Sequence, residues 1–340
     1  MAELTLDVFN DDAFSLHSLT DTIEDLEFVP GRLGELGIFS EDSISTTLAS
    51  FEKRGSQLTL IKPTPRGGPG QTTDKKKRDM RALEVPHFQI DDAIYAEEVQ
   101  GIRKFGTTSE LEQLSDKIAM RLGEHNDSVA ATEEHARMGA VKGIITYADG
   151  SETNLFAEFG VTQKAEINFA LATATDGALR ASCSKLIRVI SDELGAVRFT
   201  GIHALCGDDF FDALLKNPEV RETFKGWSDA QILRDGYLGP NRSTYGIFEF
   251  GGIVFENYRG SVNGTDFIEP TKVQLFPTGV RGLFKSIRSP ADYIETVNTP
   301  GRRVYAKQYR MLNDKGVHLE VQTNSLHVCT RPRVLLKGKL

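Results

Sequence analysis

The 340-residue chain has no run of eighteen apolar residues, so no segment reads as a membrane-spanning helix. Its start, Met1-Ala2-Glu3-Leu4-Thr5-Leu6-Asp7, has neither the basic region nor the apolar stretch of a signal peptide, and the expectation is a protein made and kept in a cytoplasm. Cysteine is scarce: Cys183, Cys206 and Cys329 are odd in number, far apart and without a Cys-x-x-Cys spacing. That pattern excludes a disulfide framework and a zinc knuckle and predicts three ordinary buried thiols.

The short signatures of catalysis are missing too. There is no Gly-x-x-x-x-Gly-Lys-Ser/Thr phosphate loop, no Gly-x-Ser-x-Gly elbow and no His-Glu-x-x-His metal helix. The nearest dinucleotide echo, Gly31-Arg32-Leu33-Gly34-Glu35-Leu36-Gly37, has the wrong spacing and follows no clear strand, so it reads as a flexible turn. His125 and His135 share a helix face but stand roughly 15 Å apart, too far to bind one metal, and read as its polar edge. Asp208 and Asp209 lie between a strand and a helix, where an acid caps backbone N–H groups and complements the helix dipole. No residue is nominated as catalytic, cofactor-binding or metal-binding, and no cofactor is expected.

What the chain has is length, with 39% hydrophobic residues, and charge sorted into blocks. The length suits two packed cores. The net charge of -8 conceals the sorting. Residues 1–50 hold eleven acids, among them Asp11, Asp12, Glu24 and Asp25, against the one base Arg32. Residues 51–81 reverse this with nine bases, including Arg66, Lys75, Lys76, Lys77, Arg78 and Arg81, against three acids. Residues 300–340 carry nine bases against two acids. Opposed blocks in one chain suggest complementary surfaces that meet between copies, and these ten named residues are the candidate intersubunit contacts.

Hydrophobic periodicity supplies an order of elements. The first 28 residues alternate acids with Leu16, Leu19, Ile23 and Leu26 and read as an arm that orders on a partner. Gln57–Ile61 and Leu83–Ile90 are strand-like legs around a Pro/Gly and Lys/Arg tip, a long protruding loop with no core of its own. A capping box at Ser109 and Glu112 opens the clearest helix, with the stripe Leu111, Leu114, Ile118, Leu122, His125 and Val129 weakening through Thr132, Ala136 and Ala140 to Gly143. Such a helix is roughly 45 to 50 Å long. Asp149-Gly150 signals a hairpin between 144–147 and 153–159. Ala178–Leu194 is amphipathic, with Asp176 as its cap and Gly195 as its stop. Strand 197–205 then leads into helix 210–216, Pro218 restarts a helix, and Ser228 caps another that ends at Gly236. Strands 245–250 and 253–258 flank Gly251-Gly252, Asn263-Gly264 marks a turn, and 304–311 pairs with 317–322 around Asp314-Lys315-Gly316.

That order resembles the major capsid protein E family of lambda-like tailed phages, within the Hong Kong 97-type capsid fold. The wording agrees as well. Val29-Pro30-Gly31-Arg32-Leu33-Gly34-Glu35-Leu36-Gly37-Ile38-Phe39, Leu60-Ile61-Lys62-Pro63-Thr64-Pro65-Arg66-Gly67-Gly68, Arg302 to Arg310, and His327-Val328-Cys329-Thr330-Arg331-Pro332-Arg333-Val334-Leu335 are similar to blocks of that family. The resemblance implies an α+β subunit with an N-terminal arm and lead-in over 1–50, an extended β loop over 51–90, a peripheral domain with the long spine helix over 91–174, an axial α/β domain over 175–290, and a return to the peripheral domain over 291–340. It further implies self-assembly into hexamers and pentamers of an icosahedral virion shell, formed in the host bacterial cytoplasm. That shell encloses double-stranded DNA without sequence-specific binding. Scaffold and portal proteins, and a decoration protein over the loop and arm, are the implied partners, with no membrane. The basic tip of the loop would lie over a neighbouring subunit.

Three other readings are open. An encapsulin-like nanocompartment shell would share the fold and enclose cargo proteins in place of a genome. A soluble cytoplasmic α/β enzyme would centre on 175–290, against which stands the lack of clustered nucleophile, base and oxyanion donors. A nucleic-acid module would use 53–81, although no aromatic residues interleave with Lys75-Lys76-Lys77-Arg78 to stack bases.

Overall fold

The computed structural model describes residues 15–25, 31–53, 79–99, 110–172, 177–225, 246–262, 265–312 and 315–340, which form an α+β arrangement divided into two units. The first unit draws on Met1–Ala49, Leu83–Arg137 and Lys285–His327, the second on Ser50–Ala82, Met138–Phe284 and Val328–Leu340.

The first unit is organised by the helix Glu110–Lys142 up to Arg137; the 33 residues of the whole helix span about 50 Å, as the sequence pattern predicts. Its cap residue Ser109 lies outside the described residues. Ile118, Leu122 and Val129 stand on one face and are buried in a single hydrophobic cluster. The other wall of that cluster is an antiparallel sheet in the order Tyr305–Arg310, Gly316–Thr323, Phe88–Tyr95. Because side chains alternate across a strand, Val317, Leu319 and Val321 point to the core, with Ile94, Ile90 and Ala306 beside them in register. A second three-stranded sheet places Phe284–Arg288 between Phe39–Ser43 and Ser325–Cys329.

The N-terminal segment corrects an expectation. Leu16–Asp25 is a helix that orders on its own chain. Spacings of three and four residues put Leu16, Leu19 and Ile23 on one face. Leu19 and Ile23 enter the main cluster, and Leu16 packs with Ala291, Tyr293 and Tyr305. The Ser15 hydroxyl accepts the Ser18 N–H at 3.3 Å at the helix start. The Thr20 hydroxyl accepts the Ala306 N–H at 3.2 Å, tying the helix to the sheet edge.

The second unit is built on a six-stranded mixed sheet. Its order is Ile167–Asn168, Leu336–Lys339, Lys272–Thr278, Gly201–Cys206, Ile253–Asn257, Ile247–Phe250. Gly201–Cys206 runs parallel to Ile253–Asn257 and antiparallel to Lys272–Thr278. Every residue from Ile202 to Cys206 is buried, as in a strand covered on both faces. The turn Gly251-Gly252 has φ of 60° and 80°, a pair of left-handed conformations that glycine adopts without strain.

Helix Ala178–Leu194 has its predicted limits, buries Leu179, Cys183, Leu186, Ile190 and Leu194, and stops at Gly195. Its cap differs. Asp176 lies outside the described residues, Gly177 makes no side-chain cap, and the Glu219 carboxylate accepts the Leu179 and Arg180 N–H groups at 3.0 and 3.2 Å. Helices Asp208–Lys216 and Pro218–Lys225 follow. Asp208 and Asp209 sit in the first turn, where their charge suits the dipole. The cap, however, is Gly207, which has no side chain to form a cap bond, and Asp208 faces Arg259 at 3.3 Å.

The Asp149-Gly150 hairpin joins Ile144–Thr146 to Glu152–Asn154. Its second leg is shorter than expected, since the Asn154 side chain accepts the Phe156 and Ala157 N–H groups at 3.0 and 3.2 Å and starts the helical turn Leu155–Glu158. Strand Gln57–Ile61, the 62–70 stretch, helix 228–236, Asn263, Gly264 and Asp314 lie outside the described residues. All three cysteines are free and buried, and burial pushes the Cys183 and Cys329 thiols up to about 12.

If the first helix is an integral part of the core, Ile23→Ala, at a side chain with 0% exposure, lowers the unfolding free energy of the unassembled protein by about 2 to 5 kcal/mol in urea titration. A change within about 0.5 kcal/mol, the range of surface substitutions, would show that the helix is undocked in solution.

Candidate interaction surfaces and a buried charge cluster

Among the described residues, no group of three or more His, Cys, Asp or Glu side chains is placed to hold a metal ion, and no helix is long and apolar enough to cross a membrane. The most concentrated chemistry in the first unit is a buried ionic cluster. Glu133, 1% exposed, lies on the long helix where the apolar stripe weakens. Arg288 Nη1 donates to Glu133 Oε1, and Arg303 Nε donates to Oε2 at 3.2 Å. Arg137, one turn along the helix, stands 4.0 Å from the same carboxylate. Glu41, half exposed, accepts from Arg288 Nε at 3.0 Å and lies 3.6 Å from Arg137. Arg303 also donates to the Asn126 side chain at 2.8 Å. Burial works against the charge of Arg288, but Glu133 and Glu41 outweigh it and raise its pKa. For Arg303 burial prevails, with Arg288 and Arg137 adding repulsion, and its pKa falls.

Two neighbours extend the cluster. Glu134 Oε1 accepts the Leu33 N–H at 2.8 Å, and Gly31 approaches this carboxyl so closely that a Cβ would stand 2.4 Å from Cδ. The Gly31–Gly37 segment thus contains a helical turn, Arg32–Glu35, with Leu33 buried, in place of the expected flexible turn. His327, 1% exposed, shares a 2.9 Å hydrogen bond with Ser286 and meets the Phe39 ring edge-to-face at 5.9 Å. Burial, then Arg288 and Arg137, push its pKa well below the ordinary histidine value.

A second network lies at the polar edge of the helix. His125 Nε2 is 3.1 Å from Asp92, Arg121 stands 3.8 Å from Asp92 and 3.6 Å from Glu98, and Lys117 pairs with Glu98 at 2.9 Å. His125 is therefore an edge residue, as its position in the stripe suggests.

Of the ten candidate contacts, the side chain of one is described. Arg81, in strand Asp79–Glu84, donates from Nη1 to the Glu158 carbonyl within the second unit. Glu24 and Asp25 fall in the last turn of helix Leu16–Asp25. Asp11, Asp12, Arg66, Lys75, Lys76, Lys77 and Arg78 lie outside the described residues. Sequence reasoning missed Glu133, Arg288 and Arg303, whose only signal was an acid placed where the helical stripe continues inward.

A long helix across a β sheet, with a separate mixed sheet, is a fold shared with solved structures. A crystallised candidate capsid protein of a prophage of E. coli CFT073 superposes with a TM-score of 0.59 at 16% identity, covering 96% of this chain and 99% of that one. The mature capsid subunit of bacteriophage PhiM1 gives 0.50 at 13% identity, covering 93% and 89%. The fold is the Hong Kong 97-type capsid fold. The major capsid protein of Pseudomonas phage KPP10 is 32% identical over 342 residues, covering 94% of this chain and 96% of that relative. The family model described as phage major capsid protein E matches residues 15–340, and the chain belongs to that family. It is a major capsid protein of a tailed phage, a structural component of the icosahedral virion shell that assembles with copies of itself, and not an enzyme.

The buried neutral histidine sets a pH dependence. An unfolded histidine titrates near 6.5. Below that pH the unfolded chain binds a proton that folded His327 refuses, so stability falls with falling pH by up to about 1.4 kcal/mol per unit from this group, and above it the contribution is complete. His327→Gln should flatten the slope between pH 6 and pH 5 in urea titrations of unassembled protein. Equal slopes for the two proteins would contradict it.

Proposed function

We propose that copies of this chain form the hexamers and pentamers of a phage head that encloses double-stranded DNA without reading its sequence. In this reading assembly takes place in the host bacterial cytoplasm, on a separate scaffold protein and around a portal. A small decoration protein over the extended loop and arm completes the shell. Residues 1–50 act as arm and lead-in, 51–90 as the extended loop, 91–174 with 291–340 as the peripheral domain, and 175–290 as the axial domain. The observation that supports this reading beyond family membership is the sorted charge.

A basic block at 51–81 and an acidic block at 1–50 give each copy both halves of an electrostatic contact. Arg66, Lys75, Lys76, Lys77, Arg78 and Arg81 are the donors in this scheme, and Asp11, Asp12, Glu24 and Asp25 the acceptors. Each contact can be weak, because a closed lattice engages many at once and raises their combined strength. The net charge of -8 keeps the wall from adhering to the polyanion inside.

Sedimentation velocity with negative-stain microscopy, on the protein alone and with scaffold, tests the reading. Closed shells, tubes or rings of five or six subunits are expected. Replacing Lys75, Lys76, Lys77 and Arg78 by glutamate should abolish them while changing the unfolding free energy of the unassembled chain by no more than about 0.5 kcal/mol. A stable monomer or dimer of the wild type under every condition would overturn the proposal.

A further inference from the structure

Residues 289–303 of the first unit, between strands Phe284–Arg288 and Tyr305–Arg310, form a loop that bonds itself into one shape. Thr296, 4% exposed, shares its hydroxyl hydrogen between the Ala291 and Tyr293 carbonyls at 2.7 and 3.0 Å. The Thr299 hydroxyl donates to the Thr296 carbonyl at 2.7 Å. The Asp292 N–H donates to the Gln322 side chain at 2.9 Å and the Gly301 N–H to the Ile44 carbonyl at 3.0 Å, which ties down both ends of the loop. Asn298 holds a φ of 59°, a left-handed conformation that is costly for most side chains and that asparagine tolerates.

This order presents two apolar side chains to water. Ile294 is 91% exposed and Val297 62%. They stand three apart at the 3-10 turn Ile294–Thr296, where side chains at that spacing eclipse, so they form one patch on a fixed tip. The charge around the tip is balanced. Residues 291–303 carry two acids, Asp292 and Glu295, and two bases, Arg302 and Arg303. Glu295 is paired with Lys307 at 2.7 Å, and Arg302 with Asp21 at 2.7 Å.

Both features fit a surface that meets its own image. An icosahedral shell contains twofold axes, and there the same patch on two copies has to be self-complementary. A patch of one sign repels its image, so the charge blocks at 1–50 and 51–81 are unsuited to such an axis. A neutral apolar tip is suited to it. We propose that the tip formed by Ile294 and Val297 packs against the same tip of a second copy across a twofold axis of the shell. The inference rests on the shell reading above and adds a contact which that reading does not name. Two side chains per copy fall far short of the ~800 Å² per partner that a stable complex buries. The contact therefore does not dimerise free subunits and acts only where the lattice already holds both copies in place.

The test uses the scarcity of accessible thiols. Cys183, Cys206 and Cys329 are all buried, so Ile294→Cys or Val297→Cys, made singly, supplies one exposed thiol. Each variant is assembled alone and with an equal share of wild type, so that shells form even where the variant alone fails. The shells are oxidised, then denatured with N-ethylmaleimide to block remaining thiols, and run on a gel without reductant. The expected result is a disulfide-linked dimer from at least one variant, enriched tenfold or more over unassembled protein at the same concentration. Replacing both residues by aspartate should lower the yield of shells tenfold or more and leave the Tm of the unassembled chain unchanged. Unlinked chains from the shells of both cysteine variants overturn the proposal, as does a wild-type yield of shells from the double aspartate variant. Those two results leave the shell reading standing, whereas failure of the wild type to assemble under any condition overturns that reading and this contact with it.

Discussion

Glu133 is the fixed point of the first unit. A carboxylate with 1% exposure needs full compensation, and here it comes from three guanidiniums: Arg137 on the same helix, Arg288 on a strand of the second sheet, and Arg303 ahead of strand Tyr305–Arg310. Glu41, on the strand Phe39–Ser43, completes the neutralisation of Arg288. An apolar contact tolerates sliding, but a planar guanidinium bonded through fixed N–H groups sets direction as well as distance. The cluster therefore specifies how the helix, the second sheet and the C-terminal strands meet, while the hydrophobic cluster of Leu122, Ile94 and Val317 supplies most of the favourable burial.

Elements whose physics is local were legible in the sequence. The long helix, the amphipathic Ala178–Leu194, the Asp149-Gly150 hairpin and the pair around Gly251-Gly252 each follow from periodicity or turn chemistry within a short window. What escaped was set by distant partners. The cap of Ala178–Leu194 is Glu219, some forty residues away, and no local pattern points to it. Glu133 and Glu134 escaped because a buried acid is recognisable only once its partners are known. The helix Leu16–Asp25 was hidden by the acids between its apolar positions, although Leu16, Leu19 and Ile23 already stood at helical spacing. The intersubunit contacts were nominated from charge alone, and charge blocks say which segments can attract without saying where they land.

The same contrast between buried and exposed charge bears on function. Inside the first unit, Glu133 and Glu41 share three arginines, and these contacts fix geometry. Along the sequence, the blocks 1–50 and 51–81 are sorted by sign, which in the proposed reading favours contacts between copies. A shell subunit needs both: a rigid body that presents the same surface at every lattice position, and attractions weak enough singly for misplaced copies to leave.

The most direct test of this account is a double-mutant cycle on Glu133 and Arg288, read by urea unfolding of the unassembled protein. Glu133→Gln alone should cost about 3 to 5 kcal/mol, because it strands buried guanidiniums, and adding Arg288→Met should recover more than about 1 kcal/mol of that loss. Additive effects, or a cost below about 1 kcal/mol for Glu133→Gln, would contradict the claim that this carboxylate holds the unit together.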